Sequence, residues 1–263
     1  MINQDDIVTV QISQQPVLRA FASSYMGTRD YQQDSYFYFE TAKGALAVVC
    51  DGMGGMEHGE RASQIAVKTL AEDFNDWTGG SIPDFFASEA KKIDKAVYEL
   101  RDENGKKMDA GTTCVAVIVD GSQMYWMSVG DSRIYIIRGN EVLCVTRDHN
   151  YGYRLDRMLE KGEIDREQYD AEKKRAEALI SFMGLNGLEM LDVNKIPFEL
   201  EQGDRVLLCS DGLYKNLADG QLDELLISGY LDARETLNSL MMAVKDREKK
   251  HKDNTTAIML AYE

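Results

Sequence analysis

Four aspartates that lie far apart in the sequence each stand beside an apolar run and next to a glycine or an asparagine. They are Asp51, Asp131, Asp211 and Asp253. Apolar runs of this length are typical of β-strands, and strands from distant parts of one domain can bring carboxylates together. Carboxylates without histidine or cysteine are the donors that Mg²⁺ and Mn²⁺ prefer. The pattern predicts a divalent-metal site, with the carbonyl oxygen of Gly52 as a further ligand.

An ordinary structural role is also open for each of these residues. Asp51 could cap a helix after a tight turn, Asp211 could belong to a common Asp-Gly turn, and the other two aspartates could be turn residues. Arg29 offers a guanidinium that could grip phosphate oxygens through two parallel hydrogen bonds beside a metal site. Taken alone, such an arginine more often forms a surface ion pair. Each signal is weak when taken alone.

The chain of 263 residues has a net charge of −15 and only three prolines. Because no Pro-rich or Gly/Ser-rich linker divides it, we expect a single domain over residues 1–263, beginning with a loose lead at 1–15. The negative charge argues against nucleic acid or an anionic membrane as a partner. No apolar run approaches the roughly 18 residues of a membrane span. No signal peptide opens the sequence, so we expect a cytoplasmic protein.

The cysteines indicate a reducing environment. They form no CxxC pair, which argues against a zinc knuckle or a redox motif. Each lies within an apolar run, so we expect buried, reduced thiols at Cys50, Cys114, Cys144 and Cys209.

The first 150 residues contain seven strand-like runs, at 17–24, 35–40, 45–50, 112–119, 123–129, 133–138 and 141–146. Two amphipathic helices lie between them, one with Val67, Leu70 and Phe74 on its apolar face and one with Phe86 and Ile93. The last four strands are joined by turns of two or three residues. We expect these strands to be antiparallel, because parallel pairing needs long crossovers. This excludes a doubly wound nucleotide-binding fold.

The second half of the chain opens with a charged, helical excursion at about 150–184 and then returns to β-structure. Strands are predicted at 191–200, 205–210 and 255–262, and helices at 219–227 and 231–245. Two antiparallel sheets packed on each other, with pairs of helices outside, would cover all of the apolar faces. The sequence therefore predicts an α+β protein built on a β-sandwich.

Taken in order, these segments resemble the metal-dependent protein phosphatases, the type 2C serine/threonine family. The matching segments lie at 29–34, 51–55, 59–63, 111–113, 130–133, 146–149, 210–213 and 253–256. The resemblance runs from about residue 17 to the end of the chain. It implies a bacterial-type, single-domain member with a β-sandwich flanked by helices, and it places the family's flap at about 150–184.

The resemblance also assigns roles to the site residues. It implies that Asp51 bridges two Mg²⁺ or Mn²⁺ ions, that the Gly52 carbonyl binds one of them, and that Asp211 and Asp253 bind the other. It implies that Arg29 clamps the substrate phosphate. Arg29 and Asp51 are thus the predicted catalytic residues.

Two further aspartates receive secondary roles from the resemblance. Asp34 would act through water in the outer shell, and Asp131, helped by Asp211, would hold a third and weaker ion. Met53 stands where many eukaryotic members carry a histidine that is thought to protonate the leaving group. We interpret the nearby His58 as a solvated residue at a helix start. A metal-bound water is then the expected proton donor.

The predicted reaction is hydrolysis of phosphoserine and phosphothreonine in proteins by a water that bridges the two ions. The expected partners are phosphorylated proteins and an opposing serine/threonine kinase, and the protein is expected to be a monomer. One alternative is a non-catalytic phosphatase-like module that binds phosphoproteins. Another is a partner-switching phosphatase dedicated to one regulator.

Overall fold

The structure, a computed structural model, describes residues 9–11, 18–54, 58–228 and 232–263. In chain order its strands are β1 (Val10–Gln11), β2 (Leu18–Tyr25), β3 (Asp34–Thr41), β4 (Gly44–Gly54), β5 (Ala110–Thr112), β6 (Cys114–Asp120), β7 (Gln123–Val129), β8 (Arg133–Arg138), β9 (Glu141–Cys144), β10 (Asp192–Val193), β11 (Phe198–Glu199), β12 (Arg205–Cys209) and β13 (Thr255–Tyr262). Its helices are α1 (His58–Asp76), α2 (Ile82–Tyr98), α3 (Tyr151–Glu160), α4 (Arg166–Glu172), α5 (Asp211–Tyr214), α6 (Gln221–Ile227) and α7 (Ala233–Asp246).

The strands form two antiparallel sheets. The first has the order β1-β2-β13-β12-β8-β9, and the second has the order β10-β7-β6-β4-β3, with β11 on β7 and β5 on β4. Side chains alternate along each strand, so one strand serves two cores. In β4, Ala47 and Val49 face the first sheet, whereas Leu46 and Val48 face the helices.

Three apolar layers follow from this alternation. The middle layer fills the space between the sheets. The second sheet packs its outer face on α1 and α2, and the first sheet packs its outer face on α5, α6 and α7. The two-sheet sandwich with helices outside agrees with the predicted α+β class.

Helix boundaries follow local chemistry. Ser81 caps α2 by accepting a hydrogen bond from the Asp84 N–H, Asn150 caps α3, and Asp232 caps α7. Such caps satisfy backbone donors that have no partner inside the helix. No helix in the described ranges is both long and apolar enough to cross a membrane.

The expectation that the four strands between 112 and 146 pair in series as antiparallel neighbours is wrong at its centre. β6 pairs with β7 and β8 pairs with β9, both antiparallel, but β7 and β8 belong to different sheets. The short Gly-Asp-Ser segment at 130–132 therefore carries the chain from one sheet to the other. This crossing matters because it places Asp131 at the junction between the sheets.

Other expectations need smaller corrections. The strand expected at 191–200 is two short strands, because the segment leaves the sheet between β10 and β11. Cys144 is exposed, since it lies on the edge strand β9, while the other three thiols are buried. Part of the expected loose lead, Val10–Gln11, pairs with β2. Residues 1–8 and 12–15 of that lead lie outside the described residues, as do Val17, Gly55 and Leu231.

Candidate metal centre

One cavity of about 430 Å³ collects six of the seven predicted site residues. They are Arg29, Asp51, Gly52, Asp131, Asp211 and Asp253. They come from both sheets and from the loops that join strands to helices, so the cavity exists only once the sandwich has formed. The seventh residue, Asp34, lies beside it as the register partner of Asp51 in the β3–β4 ladder.

Asp51 is held rigidly by a pair of threonines. Its N–H donates to Thr113 Oγ1 at 2.9 Å, and its carbonyl accepts from the Thr113 N–H and the Thr112 hydroxyl, each at 2.9 Å. Asp51 lies inside β4 rather than at its end, because β5 continues the pairing as far as Gly54. Burial first, and then the nearby carboxylates of Asp34 and Asp211, raise the pKa of Asp51 well above its usual value.

Asp34 is buried below the cavity. Its Oδ2 accepts a hydrogen bond from Ser210 Oγ at 2.8 Å, and its Oδ1 has no hydrogen-bond partner among the described residues. Burial raises the pKa of Asp34 to about 7, although the Ser210 hydroxyl works in the opposite direction. A buried oxygen without a partner is costly, and a water or ion above it would supply the missing contact.

The two Asp-Gly pairs use their glycines in the same way. A Cβ at Gly52 would lie 2.1 Å from the Gly59 carbonyl oxygen, and a Cβ at Gly212 would lie 1.9 Å from the Asn254 carbonyl oxygen. Neither distance is compatible with a side chain. Each glycine thus lets another backbone segment pass directly beside its aspartate, the first turn of α1 at Gly52 and the loop before β13 at Gly212. The second of these close approaches brings Asp211 near the loop that holds Asp253.

Asp131 sits at the crossing between the sheets, where its backbone is fixed from two directions. The Gly130 N–H donates to His149 Nδ1 at 3.2 Å, and the His149 N–H donates to the Gly130 carbonyl at 2.9 Å. The Tyr214 hydroxyl donates to the Asp131 carbonyl at 2.9 Å. Burial and then the charge of Asp211 raise the pKa of Asp131.

Lys215 is a site residue that sequence reasoning missed. Its ammonium lies 2.7 Å from Asp211 Oδ2 and 3.0 Å from Asp131 Oδ2. Burial alone would lower the pKa of Lys215, but the two aspartates outweigh it and the net shift is upward. A lysine four residues after an aspartate carries no special signal in a sequence. Only the fold shows that Asp131 comes to the same point.

Arg29 and Asp253 face each other across the mouth of the cavity. Arg29 Nη2 lies 2.6 Å from Asp253 Oδ2, and the two side chains are 56% and 40% exposed. The surrounding loops are tied together, since the Thr28 N–H donates to the Lys252 carbonyl at 3.0 Å. Asn254 adds hydrogen bonds from its amide to the carbonyls of Met26 and Tyr31.

The donors around the cavity fit a hard divalent cation. They are carboxylate and carbonyl oxygens, the set that Mg²⁺ and Mn²⁺ favour. No group of three or more His, Cys, Asp or Glu side chains within the described ranges is already arranged as a metal-holding cluster. The carboxylates of Asp253 and Asp211 are instead turned toward Arg29 and Lys215. The raised pKa of Asp51 and the unpaired Asp34 Oδ1 mark a site with more negative charge than its neighbours neutralise.

The segment predicted as a flap reaches the cavity. It folds into α3, α4 and a short 3-10 helix, and its Glu177, Leu179 and Phe182 line the cavity wall. Met53 lines the same wall, whereas His58, the first residue of α1, is not among the lining residues. This agrees with the interpretation of His58 as a helix-start residue.

Solved structures that share this fold are serine/threonine phosphatases. A serine/threonine phosphatase from S. agalactiae has a TM-score of 0.79 at 26% identity, covering 94% of this chain and 100% of that one. The catalytic domain of PstP, solved with two manganese ions, has a TM-score of 0.72 at 27% identity, covering 93% and 98%.

Sequence comparison gives the family. A family model for protein phosphatase 2C matches residues 24–252. The serine/threonine phosphatase stp of Listeria welshimeri is 31% identical over 206 residues, which are 76% of this chain and 79% of that protein. The chain therefore belongs to the protein phosphatase 2C family. The predicted family, fold class and assignment as a serine/threonine protein phosphatase are confirmed.

Proposed function

We propose that this chain hydrolyses phosphoserine and phosphothreonine in proteins with two divalent ions held at the cavity. Asp51 and the Gly52 carbonyl would hold them from the second sheet, and Asp211 and Asp253 from the opposite side. Asp34 would act through water from below. The observation that carries the proposal is the convergence of these oxygen donors on one cavity, together with the raised pKa of Asp51.

When bound, the ions supply a nucleophilic water at neutral pH and neutralise charge on the phosphoryl oxygens. The protein's own contribution is position. Thr112 and Thr113 fix the backbone of Asp51 from two directions, so its carboxylate is presented at a defined place. A fixed constellation lowers the barrier because little reorganisation remains when the reaction occurs.

Arg29 is proposed to bind the substrate phosphate. It is more than half exposed at the mouth of the cavity, and its present partner is Asp253. Since Asp253 is itself a proposed ligand, ion binding would draw that carboxylate inward and leave the guanidinium for the phosphate. A guanidinium can then make two parallel hydrogen bonds to phosphate oxygens.

The ion could be Mg²⁺ or Mn²⁺, since oxygen donors serve both. We propose Mn²⁺ as the working ion for experiments, because the PstP structure contains two manganese ions. An opposing serine/threonine kinase, a cytoplasmic location and a monomeric state stay predictions. The intact set of carboxylates favours turnover over a non-catalytic module.

The test is hydrolysis of p-nitrophenyl phosphate and of a phosphothreonine peptide with Mn²⁺, with and without EDTA. Asp51→Asn and Asp211→Asn should each lose more than the roughly 100-fold that removing a supporting residue costs at a metal site. Asp120→Asn is the matched control, since Asp120 is exposed in the β6–β7 hairpin. Full activity in both site variants, or turnover that survives EDTA, would show that the proposed ligands are wrong.

A further inference from the structure

The family resemblance places a third metal ion between Asp131 and Asp211. In the structure a side-chain cation, the ammonium of Lys215, lies at this position. Lys215 Nζ lies between the carboxylates of Asp131 and Asp211, 3.0 and 2.7 Å from their Oδ2 atoms. Both distances are those of charge-assisted hydrogen bonds. The Asp131 side chain is only 7% exposed, so its negative charge depends on a close partner.

The lysine is held in place by its neighbours. It follows α5 directly, and its N–H donates to the Asp211 carbonyl at 2.9 Å, so one helical turn joins the ammonium to the aspartate. Tyr214 next to it donates to the Asp131 carbonyl and carries the Arg133 guanidinium 3.6 Å above its ring. Arg133 is fixed in turn by two hydrogen bonds to Asp148, at 2.9 and 2.7 Å.

We propose that the Lys215 ammonium takes the place of the third ion, so that this enzyme works with two metal ions and one lysine. The inference rests on the proposed two-ion function. It replaces the expectation, taken from the family resemblance, that Asp131 and Asp211 hold a weak third metal. An ion between these carboxylates would have to displace a tethered cation that already contacts one oxygen of each.

Charge counting supports the same conclusion. Six carboxylates line the cavity or lie under it, those of Asp34, Asp51, Asp131, Glu177, Asp211 and Asp253. Arg29 and Lys215 compensate two of these six negative charges, and four remain. Two divalent ions carry four positive charges, which balance the remaining four before a phosphate binds. A third divalent ion has no uncompensated carboxylate left to bind.

Lys215 also faces the flap. Glu177 Oε2 lies 3.9 Å from the ammonium, and the Glu177 side chain is 84% exposed. The lysine thus joins the two sheets' carboxylates to the segment that lines the cavity wall. Lys215 therefore has an acidic neighbour on the flap, Glu177, in addition to Asp131 and Asp211.

The experiment counts Mn²⁺ ions bound per chain, by calorimetry and by the electron paramagnetic resonance signal of free Mn²⁺. The wild type should bind two, and Asp131→Asn should also bind two, because Asp131 is occupied by the lysine. Lys215→Ala should open a third, weaker site and bind three. Adding Asp131→Asn to Lys215→Ala should return the count to two.

Lys215→Arg and Lys249→Ala are the matched controls, and both should bind two ions. The first keeps a cation at the site, and the second removes a neighbouring lysine whose ammonium contacts Asn216 instead. The inference is overturned if the wild type binds three ions and Asp131→Asn binds two, or if a folded Lys215→Ala still binds two. The wild-type comparison does not depend on whether Lys215→Ala folds. A wild type that binds no Mn²⁺ at all would instead overturn the proposed function.

Discussion

Asp34 is the residue whose charge depends most clearly on the fold. Burial raises its pKa from an ordinary 3.8 to about 7, so between these values the folded protein binds a proton that the unfolded chain releases. The folded state therefore loses stability as pH rises through this window, by at most about 1.4 kcal/mol per pH unit for one group. This direction is opposite to that of a salt-bridged aspartate.

Asp34→Asn should flatten this dependence in the metal-free protein. The neutral amide cannot ionise, so the variant should lose less unfolding free energy than the wild type between pH 5 and pH 7. Urea unfolding in EDTA at several pH values measures both slopes, and the comparison of slopes cancels any constant cost of the substitution. Equal slopes for the two proteins would mean that Asp34 does not have a raised pKa in the folded state.

The role proposed for Arg29 predicts a change in kcat/KM rather than in stability. Hydrogen bonds to a charged partner contribute about 1.5–3 kcal/mol, so Arg29→Ala should lower kcat/KM by roughly 10- to 150-fold. Arg29→Lys should recover part of this loss, since an ammonium keeps the charge but not the two parallel hydrogen bonds. Steady-state kinetics with p-nitrophenyl phosphate measure both effects.

A Mn²⁺ titration separates this role from metal binding. The substitution also removes the ion pair with Asp253, so Mn²⁺ affinity should stay equal or increase in Arg29→Ala. A variant with unchanged kcat/KM and weaker Mn²⁺ binding would contradict the assignment of Arg29 to the phosphate.

At the scale of elements, the close contact of α5 with the loop before β13 places Asp211 near Asp253. A Cβ at Gly212 would lie 1.9 Å from the Asn254 carbonyl oxygen and 2.7 Å from Thr255 Oγ1. Gly212→Ala should therefore push α5 and the loop before β13 apart. This should cost about 1–3 kcal/mol in unfolding free energy and weaken Mn²⁺ binding. Denaturant unfolding and a Mn²⁺ titration test the two effects.

Gly121→Asn is the control for that substitution. Gly121 has a φ of +61° and open space around it, a conformation that asparagine tolerates in a hairpin turn. It should cost little stability and leave Mn²⁺ binding unchanged. If Gly212→Ala behaved like this control, the close approach of α5 to the loop before β13 would have no part in forming the site.

The elements also show what sequence patterns can and cannot predict. β7, β8 and β13 were predicted accurately, because their alternation and their turn residues are local properties. The crossing at 130–132 was not, since a short Gly-Asp-Ser turn has the same sequence whether the next strand pairs beside it or in the other sheet. Which partner it takes is decided by long-range contacts.

The same limit applies to the site residues, because local sequence predicts some of them and not others. Asp51 and Asp211 could be recognised from their strand and glycine neighbours. Lys215 could not, because its second partner, Asp131, lies 84 residues away in the sequence. The function of a lysine in this position depends on convergence that only the folded chain provides.

At the scale of the whole molecule, folding brings together charges that repel each other. The chain has a net charge of −15, and Asp51 is half-buried near the carboxylates of Asp34 and Asp211, which raise its pKa. The metal-free fold must therefore tolerate an uncompensated negative cluster. Divalent ions that bind only the folded state should add to its stability by mass action.

Mn²⁺ should consequently raise the melting temperature. At a free concentration about 100 times the Kd, one site adds about 2.7 kcal/mol, which for a chain of this size corresponds to roughly 5–10 °C. Asp51→Asn should reverse the order of the two conditions. In EDTA it should melt above the wild type, because the amide cannot carry the negative charge that the neighbouring carboxylates repel, and with Mn²⁺ it should gain little. Differential scanning calorimetry of both proteins, with Asp120→Asn as the control that keeps the wild-type gain, measures this. A wild type that melts at the same temperature in EDTA and in saturating Mn²⁺ would mean that the cluster is neutralised from within the chain.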